Sequence, residues 1–549
     1  MDLQFPRSSR HTRTPTSPWI GIGRSDALDA SAQIASMLMV LHNTALTLCA
    51  AGAALCIAAV LYRLRRKPGL PFFPGPQGLP ILGNLFDLPT ETEWVTYRNW
   101  GKEFDSDVVH AEVLGSHIVV INSAKVANEL FEKRSSLYSD RPPLVALNKL
   151  LKVDWIMGFQ PYGQMWRTYR KAIHEHFNIA AVQQYKPLQL KCTHQLLRTL
   201  LDSPEGFMDH IRHLGGQTIL SIAYGIDVKP RNDPFVATAE ETLHSVSLAS
   251  RIDGSLFDMI PWLIRMPSWF PLARFKKVAE EREHFSVSMI EDPYTFVKKA
   301  MAQGTAAPSV ASSMIGQLDS QSSDLEKLMS KTLPGNIYLG GADTTVAALQ
   351  SFVLAMVLYP DARRKAQQEL DTVIGRDRLP DFQDEESLPY VTALVKEVLR
   401  WRPVAPLGIP HSLVADDVYD GHLIPAGSMV FGNAWAMLHD PTIFPDPEAF
   451  KPEHFLGHAS DLFPEVAFGF GRRVCPGQHM ARTSVWIAVA SVLAAFDISP
   501  AVDEYGREIK AEENYASGIV SYPAPFPCRI TPRSPLAREL IMATLHETS

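Results

Sequence analysis

Cysteine is scarce in this chain: five in 549 residues, at positions 49, 56, 192, 475 and 528. Two of them fall inside one apolar run and the rest stand far apart. No disulfide framework can be drawn from that spacing, and the bulk of the chain suits a reducing compartment. A basic excess is missing too. Lys and Arg number 52 against 59 Asp and Glu, a net charge of −7, and no long basic tract occurs, which leaves no footing for nucleic-acid binding. There is no internal repeat and no nucleotide-binding segment. What is present is ordinary globular composition, 46% hydrophobic and 20% charged, enough for a large core.

An uncharged run, residues 44–62, lies near the N-terminus. At ~1.5 Å per residue it spans roughly 28 Å, close to the hydrocarbon thickness of a bilayer. Arg63, Arg65, Arg66 and Lys67 follow at once. The positive-inside rule puts that end, and everything after it, in the cytoplasm. A cleaved signal peptide is the competing reading, opposed by the late start and the basic stop. Residues 1–43 form an N-terminal extension whose Ser-, Thr-, Arg- and Pro-rich first part has the composition of disorder. Arg7, Arg10 and Arg13 allow an organelle-targeting peptide, and a chain that really begins at Met37 or Met39 is a further alternative. Residues 63–83 are a basic stop followed by dense prolines, from Pro71 to Pro80, which make a stiff extended connector.

The stretch with the most chemistry is Phe468-Gly469-Phe470-Gly471-Arg472-Arg473-Val474-Cys475-Pro476-Gly477, just ahead of an apolar run from Met480 to Phe496. Pro476 falls where a first helical residue is expected. Cys475 would then cap a buried helix, where unpaired N–H groups and the helix dipole favour a thiolate. The glycines leave room on one side of the sulfur for something flat and bulky, and a thiolate so held can ligate a haem iron. A buried structural thiol is the bland alternative. Zinc held by His454, His458, Cys475 and His479 is another.

Other stretches carry weaker signals. Val108–Ile121 alternates around Gly115-Ser116 and reads as a hairpin. Asp140-Arg141-Pro142-Pro143 opens an apolar, irregular stretch to Gly163. Trp166 and Arg170 stand four apart on one helix face, two donors spaced to meet the carboxylates of a porphyrin. Residues 180–300 are mostly amphipathic helix. Ser323-Asp324-Leu325-Glu326 is a capping box opening a helix that runs to Tyr359, kinked at Pro334. Inside it, Gly340 and Gly341 each cost roughly 1 kcal/mol relative to alanine, so something must approach the backbone there. Asp343 beside Thr344 is an acid–alcohol pair able to relay protons. Val391, Leu394, Val395 and Val398 mark another amphipathic helix, with Glu397 and Arg400 three apart. Val404–Val430 reads as short strands with a turn at Asp420-Gly421.

Phe468, Gly471, Arg473, Cys475 and Gly477 fit Phe-x-x-Gly-x-Arg-x-Cys-x-Gly without a gap, and this resembles the haem-binding loop of the cytochrome P450 family. The resemblance extends over about residues 71–530, with the motifs in the family's order. It implies that Cys475 is the iron ligand, that Phe468 packs by the sulfur, that Gly471 and Gly477 shield it, and that Arg473, Trp166 and Arg170 meet the haem propionates. His411 in Pro410-His411 would be a further propionate partner, a locally satisfied buried histidine being the alternative. Asp343 and Thr344 take the acid and alcohol places of the oxygen-activating helix. Glu397 and Arg400 take those of an ion pair whose third member is normally an arginine; here it is His454, in Pro452-Glu453-His454-Phe455. Whether that member is charged at neutral pH is left open.

The implied fold is mainly α with a small β region: one catalytic domain, residues 84–535, behind an N-terminal transmembrane helix, with a C-terminal tail at 536–549. Haem b would lie between the dioxygen helix and the cysteine loop. The implied reaction inserts one oxygen atom from O2 into a small molecule. Electrons come from NADPH through a separate NADPH-cytochrome P450 reductase, required because the chain has no nucleotide site of its own. The motifs look like those of fungal members related to O-methylsterigmatocystin oxidoreductase, implying secondary metabolism, and the resemblance to microsomal members implies the endoplasmic reticulum membrane. A haem-thiolate isomerase or dehydratase, or a non-catalytic haem or zinc protein, are the rival readings. By the same likeness the pocket walls are Leu144, Val145, Leu147, Trp155 and Ile156; Ile337 and Leu339; Val404, Leu407 and Ile409; and Ile519 and Val520. Such a lining suits a neutral apolar terpenoid or polyketide and offers no fixed partner to an ionised group.

Overall fold

The computed structural model describes residues 37–39, 42, 44, 46–47, 50–52, 54, 69–229, 232–249, 257–258, 260–270, 274–457 and 465–546. The chain divides into two units, Met1–Gly69 and Leu70–Ser549. In the first, the described residues between 37 and 54 are helical and exposed. Residues 1–36, the remainder of the 44–62 span and the basic stop lie outside the described residues.

The second unit is mainly helical with small sheets. Its longer helices are α1 (Glu93–Glu103), α2 (Gln164–Phe177), α3 (Lys186–Asp202), α4 (Phe207–Tyr224), α5 (Pro234–Ala249), α6 (Arg274–Ala302), α7 (Asp324–Ala342), α8 (Thr344–Leu358), α9 (Pro360–Val373), α10 (Pro389–Trp401), α11 (Gln478–Ala495) and α12 (Pro535–Ala543). Strands β1 (Val108–Val113), β2 (Ser116–Ile121), β3 (His411–Ser412) and β6 (Met429–Gly432) form one sheet in the order β1-β2-β6-β3. Strands β4 (Asp417–Tyr419) and β5 (His422–Ile424) pair separately, as do β7 (Phe496–Pro500) and β8 (Cys528–Pro532). The first hairpin turns on Leu114 and Gly115, both at positive φ, and Ser116 is already in β2 opposite Val113. The turn therefore sits one residue earlier than the sequence suggested. The proline connector is held against this hairpin, with Pro74 accepting a hydrogen bond from the His110 amide at 3.0 Å.

Two features of the helices matter for the site. The capping box at Ser323 forms as its spacing predicts: Ser323 Oγ accepts from the Glu326 amide, and Glu326 Oε2 accepts from the Ser323 amide at 2.7 Å. The helix then continues through Pro334 but breaks at Asp343, giving α7 and α8 where the sequence suggested one run. Thr344 Oγ1 donates to the Gly340 carbonyl at 2.8 Å, the acceptor that the helical ladder would otherwise use, and such back-bonding bends helices. Asp324–Leu358 is long and apolar enough to cross a membrane, but 67% of its apolar window is buried in the protein. From Val346 to Val357 every side chain is buried, among Val485–Leu493 of α11 and Val391–Leu399 of α10. A helix apolar all round is a core helix in that setting.

Candidate active site

Phe468–Gly477 bends through two short 3-10 turns and delivers the chain to α11. The helix begins at Gln478 with Gly477 as its N-cap, two residues later than Pro476 suggested. The start of the helix still reaches the sulfur, because the Gly477 amide donates to Cys475 Sγ. A Cβ on Gly477 would lie 3.9 Å from that sulfur. The Cys475 amide donates to the Phe468 carbonyl at 2.8 Å, which closes the loop. Gly471 does something different from shielding. Its φ is +55°, a Cβ there would stand 2.2 Å from the Phe131 carbonyl oxygen, and its amide donates to Glu132 at 2.8 Å. It pins the loop to the chain behind it.

Burial pushes the Cys475 thiol above its ordinary range, against the pull of the Gly477 amide and the positive charge of Arg170. The helix start alone therefore does not make a thiolate. A metal ion bound to the sulfur would, since coordination deprotonates a thiol outright.

Arg170 of α2 and Arg473 of the cysteine loop line the same cavity, and a further arginine joins them. Arg170 Nη1 donates to the Val474 carbonyl at 2.5 Å, tying α2 to the residue before the cysteine. Arg473 donates through Nε to Ser139 at 2.8 Å and through Nη2 to Gln160 at 2.9 Å. Its Nη1 is buried without a partner among the described residues. Its guanidinium lies 4.5 Å from the Trp166 ring centroid. Arg141, which the sequence offered no reason to single out, is 8% exposed and donates to Gly158, Ile409 and Pro410. Arg473 beside it and burial hold its pKa well below the ordinary arginine value. His411 Nδ1 donates to the Tyr138 carbonyl at 2.7 Å, so the ring is locally satisfied on that side. Burial and Arg141 hold it well below the usual histidine range. Its other nitrogen can donate to a carboxylate only when an added negative charge reverses that balance.

These groups line one cavity of about 660 Å³. Cys475, Pro476 and Gly477 form part of its wall, and Gly340, Gly341, Asp343 and Thr344 another. A Cβ on Gly340 would meet nothing within 4 Å, whereas Gly341 packs on Ile219. Gly340 is thus the glycine that opens α7 to the cavity. Burial pushes Asp343 up to about 6, with Arg212 lowering it and Glu240 raising it. A haem fits this chamber on the protein's own terms: a sulfur that needs a cation, and a nest of buried cations with an orphaned Arg473 N–H that needs carboxylates.

Glu397, Arg400 and His454 come together away from the cavity. Arg400 donates through Nε and Nη2 to the two Glu397 oxygens at 2.7 Å each, and both side chains are 0% exposed. Arg400 also donates to the carbonyls of Leu438, Pro447 and Ala449. His454 Nδ1 lies 3.2 Å from both Glu397 oxygens and Nε2 lies 2.7 Å from the Pro445 carbonyl. Both partners are acceptors, so the ring stands where two donors are wanted. That geometry leaves the zinc alternative without His454. His458 lies outside the described residues, and among the described residues no group of three or more His, Cys, Asp or Glu could hold a metal.

The walls differ in part from the sequence reading. Ile156, Ile337, Leu339, Val404, Leu407, Ile409, Ile519 and Val520 line the cavity, but Leu144, Val145, Leu147 and Trp155 do not. The chain around Ala146–Leu150 coils into a π turn and directs Leu147 and Leu150 into the core, while Trp155 packs against Gly335. Lys149, Lys152 and Asp154 are exposed, as their charges require. In place of the missing apolar residues the wall contains Arg212 of α4 and Glu240 and His244 of α5. The expectation of no charged partner in the pocket is therefore overturned. The available signal was the i, i+4 spacing of Glu240 and His244 with Leu243 and Ser247, a helix stripe neither wholly apolar nor wholly polar.

The family model described as Cytochrome P450 matches residues 73–525. A cytochrome P450 monooxygenase of Armillaria gallica is 42% identical over 481 residues, covering 87% of this chain and 94% of that protein. Cytochrome P450 monooxygenase ple1 of Rhodocybe pseudopiperita is 40% identical over 489 residues, 87% and 92% of the two chains. Tryptamine 4-monooxygenase of Psilocybe cyanescens is 38% identical over 491 residues, 87% and 96%. Likeness this even, running through the loop that carries Cys475 and the break that carries Asp343, leaves one conclusion: the chain belongs to the cytochrome P450 family and is a haem-thiolate monooxygenase that takes its electrons from a reductase.

Proposed function

We propose that this monooxygenase oxidises a largely apolar small molecule, a terpenoid or aromatic polyketide, in fungal secondary metabolism. The observation that carries the reading is the placement of Cys475 and the Asp343–Thr344 pair in one chamber whose remaining wall is mostly apolar, with Ile337, Leu339, Val404, Leu407 and Ile519 prominent. Burial against such a wall contributes about 25 cal/mol per Å² and favours a hydrocarbon skeleton. One relative is named for an amine, tryptamine, so an aromatic nitrogen compound belongs in any panel of candidates.

Haem, when bound, supplies the oxygen-activating chemistry. The chain's residues then divide the remaining work. Cys475 would hold the haem iron through its sulfur, and the Gly477 amide and Arg170 favour its thiolate. Arg473, Arg170, Trp166, Arg141 and His411, which line the same cavity, would hold the propionates and orient the cofactor. Asp343, with its carboxyl near 6, can hold or release a proton at neutral pH, and Thr344 offers a hydroxyl beside it. Glu397, Arg400 and His454 hold the Leu438–Ala449 segment in place behind the cysteine loop. Residues 44–62 anchor the protein in the endoplasmic reticulum membrane, residues 63–83 are the hinge, residues 84–535 face the cytoplasm, and the partner is NADPH-cytochrome P450 reductase.

The test is turnover of the purified protein with NADPH, that reductase and a panel of fungal terpenoids, polyketides and indoles. Conversion of an apolar member with incorporation of one atom from labelled O2 is expected. Rearrangement of a peroxide without O2 uptake, and no oxygenation of any panel member, would overturn it.

A further inference from the structure

The cavity wall also carries a charged pair, on two helices near Asp343. Arg212 and Glu240 both line it, and Arg212 Nη1 stands 3.9 Å from Glu240 Oε1, at the outer limit of an ion pair. Neither side chain is fully covered: 36% and 47% of their surfaces remain accessible. Their position is fixed by backbone. A Cβ on Gly215 would stand 2.9 Å from the Ala342 carbonyl oxygen, so α4 lies directly on the break that carries Asp343, with Arg212 one turn away. Arg212 also lies 5.8 Å from the Tyr522 ring centroid, a further wall residue.

Asp343 feels both charges, lowered by Arg212 and raised by Glu240, while Glu241 and His244 are engaged elsewhere. Glu241 is taken by Arg282 at 2.7 Å, and the same guanidinium lies 3.3 Å from His244 Nδ1. A guanidinium only donates, so Nδ1 accepts and the His244 proton sits on Nε2. Leu243, Ile219 and Leu339 give the same wall its apolar part.

We propose that Arg212 and Glu240 together recognise a neutral hydroxyl on an otherwise apolar substrate. A hydroxyl oxygen can stand at hydrogen-bond distance, about 2.8 Å, from both side chains, accepting from Arg212 while donating to Glu240. An ammonium gains Glu240 but is opposed by Arg212, and a carboxylate the reverse. A bare hydrocarbon leaves both charges facing apolar surface. The pair therefore selects a group that donates and accepts without a charge of its own. Such a substrate already carries a hydroxyl when it reaches this enzyme, set there by an earlier hydroxylation, hydration or carbonyl reduction. This rests on the cavity being the substrate chamber proposed above.

The holoenzyme tests it through the haem absorption change on ligand entry. The probes are decalin, its alcohol, its carboxylate and its trimethylammonium salt, one skeleton with four head groups. Hydrogen bonds to charged groups are worth on the order of tenfold to a hundredfold in affinity, so the alcohol is expected to bind at least about tenfold more tightly than decalin and than either ion. In Glu240→Gln and in Arg212→Gln that preference should fall to a few-fold, while decalin itself binds as before, which a merely structural loss would not allow. Equal binding of alcohol and hydrocarbon, tighter binding of an ion, or a preference that survives both substitutions would each overturn the assignment of the pair alone. Failure of every probe to perturb the spectrum would overturn the chamber reading and the assignment with it.

Discussion

Replacing Glu397 with alanine removes the acceptor that four donors share. Two come from Arg400, one from the Lys451 amide at 2.7 Å and one from His454. The guanidinium left behind is 0% exposed and keeps only the carbonyls of Leu438, Pro447 and Ala449. Breaking a buried ion pair by removing one partner costs about 3–5 kcal/mol, because the surviving charge is uncompensated. The orphaned Lys451 amide adds about 1–3 kcal/mol. Against a total stability of about 5–15 kcal/mol, that is about a quarter or more of what holds the domain together. The assay is the ratio of thiolate-type CO-bound haem to total protein, with the urea midpoint of whatever holoprotein forms. Little haem-loaded protein and a sharply lowered midpoint are expected for Glu397→Ala, with a milder loss for Glu397→Gln, which keeps one acceptor oxygen. His454→Arg supplies two donors where the imidazole now stands and should retain haem at least as well. A normally loaded Glu397→Ala enzyme with an unchanged midpoint would refute the reasoning.

Cys475→Ala should lose the thiolate-type CO band while folding, and a variant that keeps the band removes Cys475 as the iron ligand. Thr344→Ala frees the Gly340 carbonyl and takes a hydroxyl from the chamber; substrate affinity should hold while NADPH electrons are diverted to hydrogen peroxide, and unaltered coupling would count against a role in proton delivery. Asp343 is raised from 3.8 to about 6, so the folded state binds its proton more tightly than the unfolded state does, and stability should fall as pH rises between those values by up to about 3 kcal/mol. Asp343→Asn should flatten that part of the urea-midpoint profile; an identical profile would show that the carboxyl is not desolvated. A chain beginning near Arg63 should bind haem but wash from membranes in carbonate; if it stays, the exposed Trp262 and Trp269 are the next anchor to remove.

Much of the site could be read in the sequence because its parts are local patterns: a cysteine in a glycine-punctuated loop, an acid and alcohol behind two glycines, Glu and Arg three apart. Such patterns place a residue on its element, and the spacing of Trp166 and Arg170 or Glu397 and Arg400 survives folding unchanged. What escaped depends on where elements meet. Arg141 sits in an irregular stretch, and only the fold brings it among the carbonyls of Ile409 and Pro410 and beside Arg473. Glu240 reads as the polar face of an amphipathic helix and turns out to face a cavity, because the water-filled side of α5 is partly an internal one. Trp155 went the other way: an apolar residue near a pocket need not line it when Gly335 offers a better fit.

The hydrogen bond from Arg170 to Val474 joins positions 304 apart in the chain. Other contacts around the chamber share that character; Arg473 reaches back 334 positions to Ser139, and Arg141 reaches forward 268 to Ile409. During synthesis Arg141, Trp166 and Arg170 therefore emerge long before Cys475, and the two parts cannot meet until the cysteine loop has left the ribosome. Closing so long a loop is entropically costly and makes such topologies slow to fold. A ligand that bonds to both halves at once adds its binding energy to the closed state alone. Haem then acts as a late fastener of the chain's ends as well as its reactive centre, and a chain starved of it should linger with its two halves unjoined and its core helices open to proteases.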